Sequence, residues 1–397
     1  MFTFTNPRHQ MSCELKREYH VNFTDGILES TSSLLTQTVR HNRVLVITTP
    51  TVYKHYGERF VRLAQEQGLD LVFEVLSLTE QTKTFESVEK ICEWSQHYNL
   101  GRSDILIAFG GGVCSDAVSV AASLIRRGIR HIRIPTTLIG QIDAAIGLKG
   151  GINFRNHKNY LGCFYPPSDV FIDPGFLGTL NRESLSHGFA EIVKMALVCD
   201  AELFDKLQCH GSSLLNSSFT QPADAASHVI ERAVQLMLKE LRENPYENIT
   251  SERLVDMGHT FSPYLEAASK FSIQHGEAVA IDMALTSLIS VELGLLQERD
   301  AHTIINLLSN LGLPIWSPLM TSELCSFSIK EAALHRRGNL NLIVLEGIGR
   351  PRFIKSAGEV EGGVLDRALA KLAVHGERMM QGPEISRNCV DWMKDTG

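Results

Sequence analysis

The sequence has no long uninterrupted apolar run, no CxxC pair and no excess of basic residues, and each absence excludes a class of protein. In the first half, the longest stretch without Lys or Arg, Ser103–Ile125, contains two aspartates and three consecutive glycines, so it is not a membrane span. The N-terminus has no basic segment followed by an apolar run, which a secretory signal would need. We therefore expect a cytoplasmic protein that does not associate with membranes.

Charge and cysteine usage narrow the class further. The net charge is −7, and a protein that binds nucleic acid needs a basic face, so we expect no nucleic-acid partner. The eight cysteines are scattered along the chain, as is typical of reduced thiols in the cytosol. Hydrophobic residues make up 44% of the 397 residues, which is enough to bury a core. At about 150 residues per domain, the length favours two to three domains.

Up to about residue 180, short apolar runs alternate with amphipathic stretches. Strands that alternate with helices of this length predict a parallel, Rossmann-like sheet covered on both faces. The predicted strands are Glu18–Phe23, Arg43–Thr48, Leu71–Leu76, Asp104–Phe109, His131–Pro135 and Val170–Asp173, and the predicted helices are Tyr53–Gln67, Phe85–Tyr98 and Ser115–Arg127.

Helical periodicity dominates after about Arg182, as in the apolar stripe from Val229 to Leu241 that ends at Asn244-Pro245. Helices are predicted over Glu277–Leu293 and Ala301–Leu311, and a hairpin over Asn339–Lys355. The predicted fold class is thus an α/β N-terminal domain followed by a mostly α-helical C-terminal domain. The predicted boundaries are an extension at 1–16, an α/β domain at 17–180, a helical domain at 181–376 and a polar tail at 377–397.

Two segments of the α/β half favour an anionic ligand. The run Gly110-Gly-Gly-Val-Cys-Ser-Asp116 follows a strand and opens a helix, where backbone N–H groups can approach a diphosphate. It lacks the GxGxxG spacing, and a tight strand-to-helix turn explains it equally well. A second segment carries charged and amide groups on glycine-loosened loops, which suit an anionic or hydroxylated ligand but also fit a solvated loop: Asp143, Lys149, Asn153, Lys158 and Asn159.

The helical half contains a candidate metal set. Glu191 lies on a predicted helix with Lys194 one turn later, and His259 and His275 follow at long range. One carboxylate and two imidazoles are a common set for a zinc ion that keeps an open position. The residues alone leave this open, because His259 also fits the interpretation of a satisfied core histidine.

Together, these motifs resemble the sugar phosphate cyclases of the dehydroquinate synthase superfamily. The resemblance covers roughly residues 43–345, in the family's order. It rests on Glu80-Gln-Thr-Lys83, Gly110-Gly-Gly-Val-x-x-Asp116, Arg127-Gly128, Pro135-Thr-Thr137, Gln141-Ile-Asp143, Gly147-Leu-Lys-Gly-Gly-Ile-Asn153, Lys158-Asn159, Phe176-Leu-Gly-Thr179, Gly188-Phe-Ala-Glu191-Ile-Val-Lys194, Gly258-His-Thr260 and His275-Gly-Glu-Ala278.

The resemblance implies a dehydroquinate synthase-like fold, a homodimer, a tightly held NAD and a zinc ion, with Co²⁺ as an alternative metal. It implies zinc ligands at Glu191, His259 and His275. It implies NAD contacts at Glu80, Lys83, Gly111, Gly112, Asp116, Thr136, Thr137, Lys158, Phe176 and Thr179. It implies catalytic or substrate contacts at Asp143, Lys149, Asn159, Lys194 and Arg127.

Three departures from the dehydroquinate synthase pattern indicate a branch of the superfamily. Pro263 stands where those enzymes have a second histidine, Asp256 stands where they have asparagine, and Leu334–Gly338 replaces their Asp-Lys-Lys segment. This pattern resembles the branch that acts on sedoheptulose 7-phosphate. Asp256 together with His335 resembles the 2-epi-5-epi-valiolone synthases, in which both residues are expected to orient sugar hydroxyls.

Four alternatives remain at this point. Two are neighbouring branches, the 2-epi-valiolone and desmethyl-4-deoxygadusol synthases. An authentic 3-dehydroquinate synthase is disfavoured by Pro263 and Asp256. A polyol dehydrogenase is disfavoured by Lys149, Lys158 and Lys194, which it does not need. A non-catalytic relative would be a fifth, but the intact metal set argues against it.

Overall fold

A six-stranded sheet forms the core of the N-terminal half in the computed structural model, which describes residues 11–13, 16–29, 31–155, 157–335, 339–360 and 363–380. The strand order is β1-β8-β5-β4-β2-β3, and the β1–β8, β8–β5, β4–β2 and β2–β3 pairs are parallel. The strands of this half are β1 His20–Phe23, β2 Val44–Thr48, β3 Leu71–Val75, β4 Ile105–Gly110, β5 Arg130–Pro135, β6 Lys149–Phe154, β7 His157–Phe164 and β8 Asp169–Ile172.

The central strands are buried on both faces, which is why they read as continuous apolar runs. Every residue of β2 and β4 is buried. The helices of this half are α1 Leu34–Val39, α2 Pro50–Val52, α3 Glu58–Glu66, α4 Phe85–His97 and α5 Gly112–Leu124. A π-helical turn, Tyr53–Gly57, joins α2 to α3, and a 3₁₀ turn, Ile125–Arg127, follows α5. The predicted parallel sheet with helices is confirmed.

The prediction that Lys149, Asn153, Lys158 and Asn159 lie on glycine-loosened loops was wrong. Strands β6 and β7 form an antiparallel two-stranded ribbon there. Its glycines provide close approach rather than looseness: a Cβ on Gly150 would lie 2.7 Å from Ser119 Cβ of α5. A Cβ on Gly162 would lie 2.5 Å from the Gly150 carbonyl oxygen. Larger side chains at these positions would force the ribbon away from the helix and its own strands apart.

The C-terminal half is mostly helical, as predicted. Its helices are α6 Arg182–Cys199, α7 Ala201–Asn216, α8 Ala223–Glu243, α9 Ser262–Ala268, α10 His275–Glu292, α11 Glu298–Asn310, α12 Ser322–His335 and α13 Val364–Met380, and its hairpin is β9 Leu342–Gly347 with β10 Arg350–Ile354. Helix α10 is buried almost throughout from Gly276 to Ser290, and it packs on α6, which is buried from Leu185 to Val198 apart from His187. These two helices therefore form the centre of this half. No helix among the described ranges is long and apolar enough to cross a membrane.

The chain divides into two compact units, and each unit is made of three separate stretches of the sequence. The first unit is Met1–Phe109, Val113–Ile134 and Leu148–Ile172, and the second is Gly110–Gly112, Pro135–Gly147 and Asp173–Gly397. The domain boundaries given by the sequence remain predictions. Helix α13 was not among the predicted elements and continues to Met380, while residues 381–397 of the predicted tail and residues 1–10, 14 and 15 of the predicted extension lie outside the described residues.

Candidate active site

The second unit brings together the three residues of the candidate metal set. Glu191 lies in the middle of α6, His275 is the first residue of α10, and His259 follows the 3₁₀ turn Leu254–Asp256. One potential ligand atom from each residue lies within 4.8 Å of the other two. Residues 68 and 16 positions apart in the chain are thus gathered by the packing of α6 against both α10 and the 3₁₀ turn that precedes His259.

The hydrogen bonds behind these residues fit a zinc ion. His275 Nδ1 lies 2.9 Å from Glu266 Oε1, and His259 Nδ1 lies 3.0 Å from the Met257 carbonyl oxygen. Each partner orients its ring and leaves Nε2 as the nitrogen available to a metal. Glu191 is 1% exposed, and its Oε1 lies 3.3 Å from His275 Nε2 without a well-formed hydrogen bond. A buried carboxylate oxygen that faces an oriented imidazole in this way is a donor set that suits zinc.

The electrostatics of the three residues follow from burial and from their neighbours. Burial opposes the charge of Glu191, but Lys194 and His275 hold the pKa of its carboxyl well below the usual range. Burial and the nearby Lys194 ammonium lower the pKa of His259 to about 4. Burial also acts against charge on His275, but its bonds to Glu191 and Glu266 outweigh it and raise the pKa to about 9. At neutral pH, Glu191 is therefore ionised and His259 is neutral, as metal ligands must be, whereas His275 carries a proton that it would release on binding a metal.

Lys194 lies one turn after Glu191 on α6 and is 2% exposed. Its ammonium contacts Glu191 Oε2 and lies 3.6 Å from Asp143 Oδ2. Burial disfavours this charge, but Glu191 and Asp143 outweigh it and raise the pKa of Lys194. Asp143 lies on the π-helical turn Gly140–Ala144, a third of its side chain is exposed, and its pKa is raised by desolvation despite Lys194. The site thus holds one fixed ammonium beside the candidate metal ligands.

Asp256 has a partner that the sequence did not predict. Arg253 donates from Nε to Asp256 Oδ2 at 3.2 Å and from Nη2 to Oδ1, and it also pairs with Glu247. Because both carboxylate oxygens accept from one guanidinium, the orientation of Asp256 is fixed. The other half of the predicted pair, His335, is the last residue of α12, and its side chain lies outside the described residues.

The first unit assembles a second cluster from predicted residues. Lys83 is 2% exposed, and its ammonium lies 2.8 Å from Asp116 Oδ2, 2.7 Å from Asn159 Oδ1 and 3.3 Å from Glu80 Oε1. Asn153 donates to the Glu80 side chain at 3.1 Å. Desolvation raises the pKa of Asp116, although Lys83 opposes it. The Asn159 side chain is therefore engaged with Lys83.

The two lysines of the ribbon are exposed, unlike the buried Lys83. Lys149 and Lys158 lie on β6 and β7 with exposed side chains. The Lys149 carbonyl oxygen accepts a hydrogen bond from the buried Arg133 at 3.1 Å. Arg127 is exposed on the 3₁₀ turn after α5.

The predicted phosphate turn packs against residues of its own unit. A Cβ on Gly111 would lie 3.1 Å from Thr137 Cγ2, and one on Gly112 would lie 3.0 Å from Ala144 Cβ. Thr136 N–H donates to the Gly110 carbonyl at 3.0 Å, and Thr137 Oγ1 accepts from Gly140 N–H at 3.1 Å. The absent side chains of these glycines thus make room for Thr137 and Ala144. Phe176 is buried on a 3₁₀ turn, and Thr179 is exposed at its end.

Sequence reasoning missed the residues behind the site. Glu266, Arg253 and Asp282 are charged side chains that contact His275, Asp256 and the backbone N–H of Phe261, respectively. Glu266 lies nine residues before His275 and Asp282 lies 21 residues after Phe261, its bonded partner. Neither spacing belongs to a helical or strand period, so no local signal could have revealed them.

Two family models match consecutive parts of the chain. The 3-dehydroquinate synthase N-terminal model matches residues 74–187, and the 3-dehydroquinate synthase C-terminal model matches residues 188–331. Together they cover well over half of the 397 residues.

Individual relatives extend this match over most of the chain. A 2-epi-5-epi-valiolone synthase of Streptomyces glaucescens is 39% identical over 366 residues, which is 90% of this chain and 92% of the relative. A demethyl-4-deoxygadusol synthase of Trichormus variabilis is 32% identical over 85% of this chain and 84% of the relative. The solved structure of a 2-epi-5-epi-valiolone synthase from Streptomyces hygroscopicus subsp. jinggangensis 5008, with NAD⁺ and Zn²⁺ bound, has a TM-score of 0.87 at 38% identity and covers 92% of this chain and 100% of that one. The chain therefore belongs to the 3-dehydroquinate synthase family, as the sequence motifs predicted.

Proposed function

We propose that this protein is a sugar phosphate cyclase that converts sedoheptulose 7-phosphate to 2-epi-5-epi-valiolone and inorganic phosphate, with NAD and Zn²⁺ as cofactors. The observation that carries the proposal is the convergence of Glu191, His259 and His275 beside the buried ammonium of Lys194. The chain is 39% identical to a 2-epi-5-epi-valiolone synthase and 32% identical to a demethyl-4-deoxygadusol synthase, which supports the first of these branches.

Glu191, His259 and His275 would hold the zinc ion. When bound, zinc would acidify a substrate hydroxyl, and NAD would accept a hydride from the sugar and return it after phosphate has left. Because the hydride is returned, NAD would be unchanged overall. The sugar ring would then open, and its terminal enol carbon would attack the C2 ketone in an aldol closure.

Lys194 would supply fixed positive charge rather than take a proton. Its raised pKa keeps the ammonium protonated at neutral pH, so it has no lone pair to act as a base. Burial beside Glu191 and Asp143 makes the charge more effective than it would be in water. The phosphate and enolate of the substrate are the anions that such a charge would stabilise. The family resemblance also implies a substrate contact for Lys149, which is exposed on β6 of the first unit.

The residues that would set product stereochemistry are those that can bind sugar hydroxyls. Asp143 is partly exposed, and Asp256 is fixed by Arg253 in one orientation. Asp256 and His335 remain our proposed pair for orienting the open-chain sugar, with Asp143 and Asn159 as further contacts.

Pro263 bears on the choice of substrate and base. It is the second residue of α9, where its missing N–H is not needed. No imidazole is available at this position, so the proton adjacent to the ketone would pass to the phosphate of the substrate itself.

The cofactor residues remain those that the family resemblance implies. Their assignment to one NAD molecule comes from that resemblance. In the first unit it is supported by buried Lys83, which is held by Asp116. The proposed contacts are Glu80, Lys83, Asp116 and Lys158 in the first unit, and Gly111, Gly112, Thr136, Thr137, Phe176 and Thr179 in the second. Cytoplasmic location and a homodimer also remain predictions.

The test is an incubation of the full chain with sedoheptulose 7-phosphate, catalytic NAD and zinc. Free phosphate and the carbon NMR spectrum of the product are measured, and NADH is followed by absorbance. Stoichiometric phosphate, a C7 cyclitol of 2-epi-5-epi-valiolone stereochemistry and no net NADH are expected. Lys194→Met should abolish phosphate release, whereas the exposed-site control Lys371→Met should retain it.

Other outcomes would replace the proposal. A different cyclitol would assign the protein to the 2-epi-valiolone or demethyl-4-deoxygadusol branch. Turnover of the carboxylated heptulosonate alone would indicate a 3-dehydroquinate synthase. NADH that accumulates without phosphate would indicate a polyol dehydrogenase. If Asp256→Asn and His335→Ala both keep the normal rate and product, their proposed role is wrong.

A further inference from the structure

Two buried carboxylates lie behind the candidate metal ligands, and the proposed reaction does not use either of them directly. Glu266 on α9 is 6% exposed, and its Oε1 lies 2.9 Å from His275 Nδ1. Asp282 on α10 is fully buried, and its Oδ2 accepts from the backbone N–H groups of Phe261 at 2.6 Å and Ser262 at 2.9 Å. Buried carboxylates are costly to keep, which makes their placement informative.

The two contacts are reciprocal. Helix α9 carries Glu266, which contacts the first residue of α10, His275. Helix α10 carries Asp282, which contacts the backbone at the start of α9, two and three residues after His259. Helix α9 therefore holds His275 through Glu266, and helix α10 holds the segment that follows His259 through Asp282. Thr286 Oγ1 donates to Asp282 Oδ1 at 3.1 Å and fixes the second carboxylate oxygen.

We propose that Glu266 and Asp282 are positioning residues that hold His275 and His259 in the geometry that a metal ion requires. The Glu266 bond fixes the tautomer and ring orientation of His275, and Asp282 fixes the turn that presents His259. Metal–ligand distances tolerate only about 0.2 Å of variation, so the rings need such support. The inference rests on the proposed function only for the identity of the metal.

A purely structural role for these carboxylates is testable, because the same unit offers a matched control. Asp200 is also buried, at 8% exposure, and it also caps a helix by accepting from Leu203 N–H at 3.0 Å. Its other partner is Arg232, not a histidine. Loss of Asp200 should therefore cost stability without affecting the metal.

The experiment uses the full chain, stripped of metal and titrated with zinc against a chromogenic chelator. Glu266→Ala and Asp282→Ala should each weaken zinc binding by about 10–100-fold, which is the usual effect of removing an outer-shell partner. Glu266→Gln keeps an acceptor for His275 Nδ1 and should lose less. The visible absorption of the cobalt-substituted protein should change in both alanine variants, and Asp200→Ala should lower the melting temperature but leave zinc affinity and the cobalt spectrum unchanged.

If an alanine variant does not fold, Glu266→Gln and Asp282→Asn replace it, because they preserve the shape of the side chain. They should also weaken zinc binding, but by less than the alanine variants. Unchanged zinc affinity and cobalt spectra in folded Glu266 and Asp282 variants would overturn the inference. So would an equal loss of zinc affinity in Asp200→Ala, since the effect would then be general destabilisation. Because the readout is metal binding, a wild-type protein that binds zinc but releases no phosphate would contradict the proposed function and leave this inference intact.

Discussion

The contact between α6 and α10 sets the spacing of the candidate metal site, and Gly276→Ala should disrupt it. Gly276 follows His275 on α10 and faces the backbone of His187 on α6, one turn before Glu191. A Cβ at Gly276 would lie 2.5 Å from His187 Cα and 2.7 Å from its carbonyl oxygen. Carbon atoms in contact are normally about 3.5–4.0 Å apart, so the two helices must separate by about 1 Å.

The expected effect on the metal is larger than the effect on stability. Overpacking of this kind costs about 1–3 kcal/mol, and alanine recovers up to about 1 kcal/mol through its helix propensity. The melting temperature should therefore fall by only several degrees, at about 2–4 °C per kcal/mol for a unit of 150–250 residues. A 1 Å shift between Glu191 and His275 exceeds the ~0.2 Å tolerance of a metal site, so zinc affinity should fall steeply.

The assay is chelator competition for zinc, combined with calorimetry of the metal-free protein. Gly358→Ala is the control, because a Cβ there meets only Ser356 Oγ at an ordinary 3.6 Å. Since the clash at Gly276 is with backbone atoms, adding His187→Ala should not restore binding. Wild-type zinc affinity in Gly276→Ala, or its recovery in the double variant, would refute the reasoning.

Three further predictions concern Lys83 and Cys114 of the first unit. Lys83→Met should leave Asp116 without its ammonium partner and lower the free energy of unfolding, measured in urea, by about 3 kcal/mol, the low end for breaking a buried pair, because Asp116 is 23% exposed; an unchanged midpoint would contradict this. Burial raises the pKa of the Cys114 thiol to about 12 from 9.0, so at pH 8 mass spectrometry should find Cys209 alkylated and Cys114 intact. The same shift predicts stability that is full below about pH 9 and is lost as the pH rises towards 12, because the unfolded thiol ionises first.

The sheet could be predicted from the sequence because its signal is local. Each buried strand is a continuous apolar run bounded by turn residues, and the strand positions agree to within two residues. The ribbon at Lys149–Phe164 could not be predicted in this way. Its strands are mostly exposed on β7 and rich in glycine and charge, so their signal is that of a loop. Their pairing is fixed by contact with α5, which a local pattern does not contain.

The candidate site shows the same limit. The motifs identify Glu191, His259 and His275 as separate residues, but tertiary packing of α6, α10 and the turn before His259 places their ligand atoms within 4.8 Å. Lys83 and Asn159 are 76 residues apart and meet through the ribbon that the sequence did not predict. Outer-shell groups such as Glu266 carry no periodic signal and belong to no motif, so geometry alone identifies them.

The replacement of a histidine by Pro263 is compatible with this site for a structural reason. The N–H groups at the start of α9 are claimed by Asp282, which accepts from Phe261 and Ser262, so the next position has no hydrogen bond to lose. Proline there pre-sets the backbone of the turn that leads to Glu266. A residue that would serve as a base in the dehydroquinate synthases has thus been exchanged for one that stiffens the support of His275. The exchange fits the proposed substrate, because its phosphate ester offers a proton acceptor of its own.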